Sequence, residues 1–114
     1  DLIYQGVVDG HISLPRWVEL CSTTPARMFG LSRKGVIAPG ADADIVVYDP
    51  NETTTISVNS HHMNMDYSAY EGTTIQGKVD TVLSRGTVVV QNNAYVGKKG
   101  HGQYVRRGQS EYLR

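Results

Sequence analysis

Up to Gly30 the apolar positions recur at helical spacing, and beyond Gly35 they alternate or run together as they do in strands. Ser13 stands where it can cap a helix whose first turn holds Pro15. A side-chain oxygen there accepts from an orphan N–H, and proline loses nothing at a position whose N–H has no helical partner. Leu14, Trp17, Val18 and Cys21 follow on one stripe, which Leu20 broadens. Thr24-Pro25 repeats the start signal, so a second, short helix is predicted with Thr24 as its cap and Ala26, Met28 and Phe29 as its apolar contacts. Gly30 is the expected stop, because glycine enters the left-handed conformation cheaply.

Beyond it the period changes. Val36-Ile37 reads as a short strand. Pro39-Gly40 reads as the centre of a type II turn, with proline where φ is fixed and glycine where φ is positive. Residues 43–48 are a nearly continuous apolar run, predicted as a well-covered strand that Asp49-Pro50 ends. Residues 53–58 are rich in β-branched side chains and form a further extended segment. Residues 59–77 lack a period and read as a loop lying against something. Residues 79–84 make a strand with Val79, Thr81 and Leu83 on one face; Arg85-Gly86 turns it, residues 87–91 return, Asn92-Asn93 turns again and residues 94–96 add a short strand. The stretch 97–108 is glycine-rich and basic, extended or loop.

Helices therefore come first and short strands after. The helices are too few to bury their own stripe, so they read as part of a larger body. Where the chain stands alone, Leu14, Trp17, Val18, Leu20, Met28 and Phe29 are expected as an exposed apolar face that marks an absent partner.

Length and charge narrow this further. A chain of 114 residues holds one modest core. It is far short of the roughly 250 residues of a complete (β/α)8 barrel. Zero formal net charge gives no global case for nucleic acid. The charge is uneven, however: from Gly97 onward Lys98, Lys99, Arg106, Arg107 and Arg114 face Glu111 alone. Cys21 is the single cysteine, which rules out an intrachain disulfide. With no leader pattern and no apolar run near the roughly 20 residues of a membrane span, a cytoplasmic protein without membrane contact is expected. Asn51-Glu52-Thr53 fits a glycosylation pattern of a length that chance supplies often.

Few residues suggest chemistry. His61-His62 invites a metal reading, with Asp66 as a third ligand, but adjacent side chains on a strand point to opposite faces and metal sites need converging ligands. A hydrogen-bonding role at an interface is the better reading. Asp42 and Asp44 are expected to be structural, Asp42 bonded to the turn backbone and Asp44 at a strand entrance. Cys21 reads as a small core residue, since no base is placed beside it. Ser84 and Ser110 lack triad partners, and the glycines at 97, 100, 102 and 108 lack the spacing of a phosphate loop. Tyr95, His101, Tyr104, Arg106 and Arg107 do not sit in a recognisable nucleic-acid module.

The run Ser22-Thr23-Thr24-Pro25-Ala26-Arg27-Met28-Phe29-Gly30-Leu31, then Lys34-Gly35, then residues 40–50, resembles the place where a metal-dependent amidohydrolase leaves its barrel for a small β domain. His61-His62-Met63-Asn64-Met65-Asp66-Tyr67 and Gly100-His101-Gly102-Gln103-Tyr104 are more specific. With them the chain, from Tyr4 to about Arg107, resembles the C-terminal portion of a dihydropyrimidinase or D-hydantoinase. That resemblance implies a mainly β fragment: the last helices of a (β/α)8 barrel in 1–34, β-sandwich strands in 35–96, and a basic arm in 97–114 that contacts a neighbouring subunit. It implies an enzyme that opens the cyclic amide of dihydropyrimidines or 5-substituted hydantoins, with two metal ions, usually zinc, activating a hydroxide. It further implies a homodimer or homotetramer. The family's metal ligands, bridging lysine and substrate-contacting residues all fall outside this chain. No catalytic, cofactor-binding or metal-ligating residue is therefore expected here, and Lys34, Lys78, Lys98 and Lys99 do not match the bridging lysine. A second reading is a non-catalytic dihydropyrimidinase-related interaction protein, which keeps the fold and loses the ligands.

Overall fold

A computed structural model describes residues 2–112. A 3-10 turn over Leu2–Tyr4 runs into helix α1, Gln5–Val8. Helix α2, Leu14–Val18, starts at Ser13, whose hydroxyl accepts from the Arg16 N–H at 3.3 Å, with Pro15 in the first turn as expected. The second helix does not start afresh at Thr24. A wide π turn over Glu19–Thr23 carries α2 directly into helix α3, Thr24–Met28, and Thr24 has helical φ and ψ of −62° and −49°. The reason is local. The Thr24 N–H reaches back five residues to the Glu19 carbonyl, and this widening absorbs the missing N–H of Pro25 that would break an ordinary helix. Thr23 likewise does not cap; its hydroxyl donates to the Gly35 carbonyl at 2.9 Å. Gly30 ends the helix at φ +66°, with Leu31 N–H bonded to Ala26 and Gly30 N–H to Arg27 in a Schellman arrangement.

Residues 31–44 connect helix to sheet without regular structure. Val36 and Ile37 are not a strand: they are exposed and have no pairing partner, because the sheet starts only at Ile45. The turn at Pro39-Gly40 forms as predicted, with Gly40 at φ +88° and the Ala41 N–H bonded to the Ala38 carbonyl.

Strands β1 (Ile45–Thr55), β2 (Thr74–Ser84), β3 (Thr87–Gln91) and β4 (Ala94–Tyr95) form one open antiparallel sheet in chain order. Asp49-Pro50 does not end β1. Asp49 pairs with Lys78 and Thr53 with Gln76, so Pro50, Asn51 and Glu52 bulge opposite Gly77 and the strand resumes. Proline is tolerated because the ladder is already interrupted there. β2 begins five residues before the expected Val79, since residues 74–78 pair with the far half of β1. The hairpins are as expected. Arg85 and Gly86 have φ of +47° and +78°, Asn92 and Asn93 +50° and +61°, the double positive φ that suits the twist of a tight hairpin.

Helices and sheet meet at an aromatic cluster. Tyr4, Trp17 and Tyr48 have ring centroids 4.8–5.2 Å apart. Beside it the Gln5 side chain imitates a strand: its amide donates to the Gln76 carbonyl at 2.7 Å and its oxygen accepts the Gln76 N–H at 3.2 Å. This covers the part of the β2 edge that β3 does not reach. Little else is buried; among the described residues only Tyr4, Ala26 and Ile75 count as buried apolar side chains.

Candidate functional site

The apolar stripe read from the sequence is on the surface. Leu14, Val18, Met28 and Phe29 are each about half exposed, Leu20 somewhat less, and Cys21 is exposed with them. Two expectations need correction. Trp17 is not on this face; it turns inward to stack on Tyr4 and Tyr48. Cys21 is not a core residue, because no described residue covers its side of the helix. Met63, Met65, Tyr67 and Tyr70 add further exposed apolar groups on the loop between β1 and β2.

That loop is closed at its base by Glu71. One carboxylate oxygen accepts from the Ser57 hydroxyl at 2.9 Å, the other from the Val58 N–H at 2.8 Å. His61 is half-buried and uses Nδ1 to accept the Met63 N–H at 3.0 Å, while its Nε2 is buried with no hydrogen-bond partner among the described residues. His62 and Asp66 are exposed. Among the described residues no three His, Cys, Asp or Glu side chains gather as a metal site would require. The paired histidines and Asp66 do not converge here: His61 commits Nδ1 to the backbone, and His62 and Asp66 are exposed.

Sequence reasoning missed the best-formed polar cluster, at the helix–sheet connector. The expected tie from Asp42 to the turn backbone gives way to ion pairs: its two oxygens take Arg33 at 2.8 Å and the Lys34 ammonium at 2.9 Å. Lys34 also bonds Asp44, whose other oxygen accepts the Arg85 N–H at 2.8 Å. Asp44 does stand at the entrance of β1, as expected. The hydrogen bond with Lys34 holds both carboxyls below the usual carboxylate range, against a smaller opposing effect of burial. Asp44, and then Asp42, raise the Lys34 ammonium above its ordinary value. Alternation of acids at 42 and 44 opposite Lys34 was the available signal, but it carries meaning only once the connector folds back. Burial, and secondarily Tyr4, pushes the Tyr48 hydroxyl up, and it too is buried with no hydrogen-bond partner among the described residues.

The Ser84 carbonyl, not its hydroxyl, meets His101, and the Ser110 hydroxyl accepts the Tyr112 N–H. A cleft of about 360 Å³ lies between the end of α3 and the returning tail, lined by Ala26, Arg27, Leu31, Lys34, Gly108 and Glu111 among others. Its charged groups are already paired, Arg27 with Glu111 and Lys34 with Asp42. Among the described residues no helix is long and apolar enough to cross a membrane.

Residues 2–89 match the amidohydrolase family. A D-hydantoinase of Streptomyces coelicolor is 60% identical over 114 residues, which is 99% of this chain and 24% of that protein. The solved D-hydantoinase of a Bacillus species superposes with a TM-score of 0.91 at 48% identity, over 96% of this chain and 25% of its own. For the dihydropyrimidinase of Brevibacillus agri the TM-score is 0.86 at 51% identity, over 90% and 23%. The chain thus spans about a quarter of the length of these relatives. With the family pattern covering most of its residues, and a helical remnant followed by an open antiparallel sheet superposing on these structures, this chain belongs to the amidohydrolase family.

Proposed function

We propose that this chain is the C-terminal structural part of a hydrolase that opens the cyclic amide bond of dihydropyrimidines or 5-substituted hydantoins, giving N-carbamoyl amino acids. The observation that carries the proposal is similarity along nearly the whole chain to a protein named D-hydantoinase. The exposed stripe Leu14, Val18, Leu20, Met28 and Phe29 supports it, since apolar patches of this kind mark a missing partner. In this reading residues 1–34 are the last barrel helices, 35–96 are sandwich strands, and 97–114 are an arm that contacts a neighbouring subunit in a homodimer or homotetramer. Two zinc ions are held by residues outside this chain, and the chain itself supplies no catalytic, cofactor-binding or metal-binding group. The whole protein is cytoplasmic and binds neither nucleic acid nor membrane.

The non-catalytic alternative has less behind it: the three relatives described above carry enzyme names. The test is on the complete polypeptide that contains this chain. It is expected to bind about two zinc ions per protomer, to hydrolyse dihydrouracil or a 5-substituted hydantoin, and to lose activity on chelation. Residues 1–114 alone are expected to give no turnover. Robust hydrolysis by the short chain, or a metal-free and inactive complete polypeptide, ends this reading.

A further inference from the structure

The C-terminal tail is pinned at two places, both far from it in sequence. At the first, the Arg85 guanidinium donates to the His101 carbonyl, and His101 Nε2 lies 3.1 Å from the Ser84 carbonyl. At the second, the Gly108 N–H donates to the Gly30 carbonyl at 2.8 Å and the Glu111 N–H to the Arg27 carbonyl at 3.2 Å. The Arg27 guanidinium also meets the Glu111 carboxylate at 2.9 Å. Between the pins residues 102–107 are exposed, Tyr104 at 92%. A Cβ on Gly30 would lie 2.3 Å from the Gly108 carbonyl oxygen, so the second pin is a backbone-on-backbone contact.

Arg85 has a second attachment. It occupies the left-handed turn between β2 and β3, and its N–H donates to Asp44, which also takes Lys34. The polar contacts therefore close a circuit: end of α3, connector, hairpin turn, tail, and back to the end of α3. Each pin shortens the free chain that must be ordered to make the other. With the first pin released, the last fixed point before Gly108 retreats to Val96, whose N–H bonds the Val89 carbonyl. Loop-closure statistics then weaken the second pin roughly twofold.

We propose that Arg85 is a positioning residue that couples the seating of the tail on α3 to the ion-paired connector. Its guanidinium, beside the Ser84 carbonyl that meets the imidazole, fixes residue 101, and this keeps residues 108–111 on the helix end.

The test is amide hydrogen exchange in the complete polypeptide carrying the variant Arg85→Met, which keeps the backbone bond to Asp44 and removes the guanidinium. Exchange at Gly108 and Glu111 is expected to rise by up to about twofold, the His101–Ser84 contact remaining, while the β1–β2 ladder holds its protection. By reciprocity, Gly30→Ala, which dislodges the second pin, raises exchange at His101. Unchanged exchange at Gly108 and Glu111 overturns the proposal. If Arg85→Met loosens the whole sheet, Arg85→Lys decides: loosening confined to the tail supports the coupling, and equal loosening everywhere overturns it.

Discussion

The Lys34 ammonium lies between the carboxylates of Asp42 and Asp44, and the two acids differ in what else they hold. Asp42 reaches the exposed Arg33, whereas Asp44 anchors the hairpin turn through the Arg85 N–H. The folded carboxyls titrate below the unfolded value of about 3.9, so their contribution is complete above that pH and is lost as pH falls through the folded values. The folded ammonium titrates above its unfolded value of about 10.4, so its contribution is complete below that pH and is lost as pH rises through the folded value. Urea midpoints of the complete polypeptide and its Lys34→Met variant, measured from about pH 3 to 11, are expected to differ most on the plateau between roughly pH 4 and 10 and to draw closer beyond it on either side. A difference that ignores pH would show that the cluster adds nothing. This cluster was illegible in the sequence for a physical reason: Lys34 meets its acids only because the Pro39-Gly40 turn folds the connector back, and spacing alone carries no such geometry.

At the scale of elements, β1 and β2 owe their length to a defect. Three residues of β1 bulge opposite Gly77, and Gly77 at φ +93° leaves room for the Tyr48 ring. A Cβ there would sit 2.2 Å from the Tyr48 hydroxyl oxygen. Gly77→Ala is therefore expected to destabilise by about 1–3 kcal/mol, through left-handed strain and displacement of Tyr48 from the aromatic cluster. Thermal unfolding and the near-ultraviolet signal of Trp17 measure it, and an unchanged melting temperature would contradict the role given to Gly77. The same defect explains what the sequence concealed. Pro50 and Gly77 each read as strand breakers, yet they face one another in the bulge, so the two strands continue past them. Likewise Thr24-Pro25 has the chemistry of a helix start, and only the π turn before it lets the helix run through. Tight turns at Arg85-Gly86 and Asn92-Asn93 were legible because positive φ is a local demand that few residues meet.

For the whole molecule, the described residues bury three apolar side chains, none of them completely, and leave a helical stripe and a methionine-rich loop uncovered. Residues 1–114 by themselves are expected to bind a hydrophobic dye strongly and to self-associate. Supplying the remainder of the polypeptide in trans is expected to lower the dye signal, and Leu14→Ser with Phe29→Ser to weaken that effect. A dye-silent monomer would mean that the stripe needs no cover. The stripe itself was legible from periodicity; the inward turn of Trp17 was not, since it depends on Tyr4 and Tyr48 arriving from distant parts of the chain. The tail has a practical bearing of its own. Because the Glu111 N–H bonds Arg27, a bulky label carried at position 111 would sit at the rim of the α3 cleft. Such a label would crowd the seam between helix and tail, and its linker length becomes a design variable.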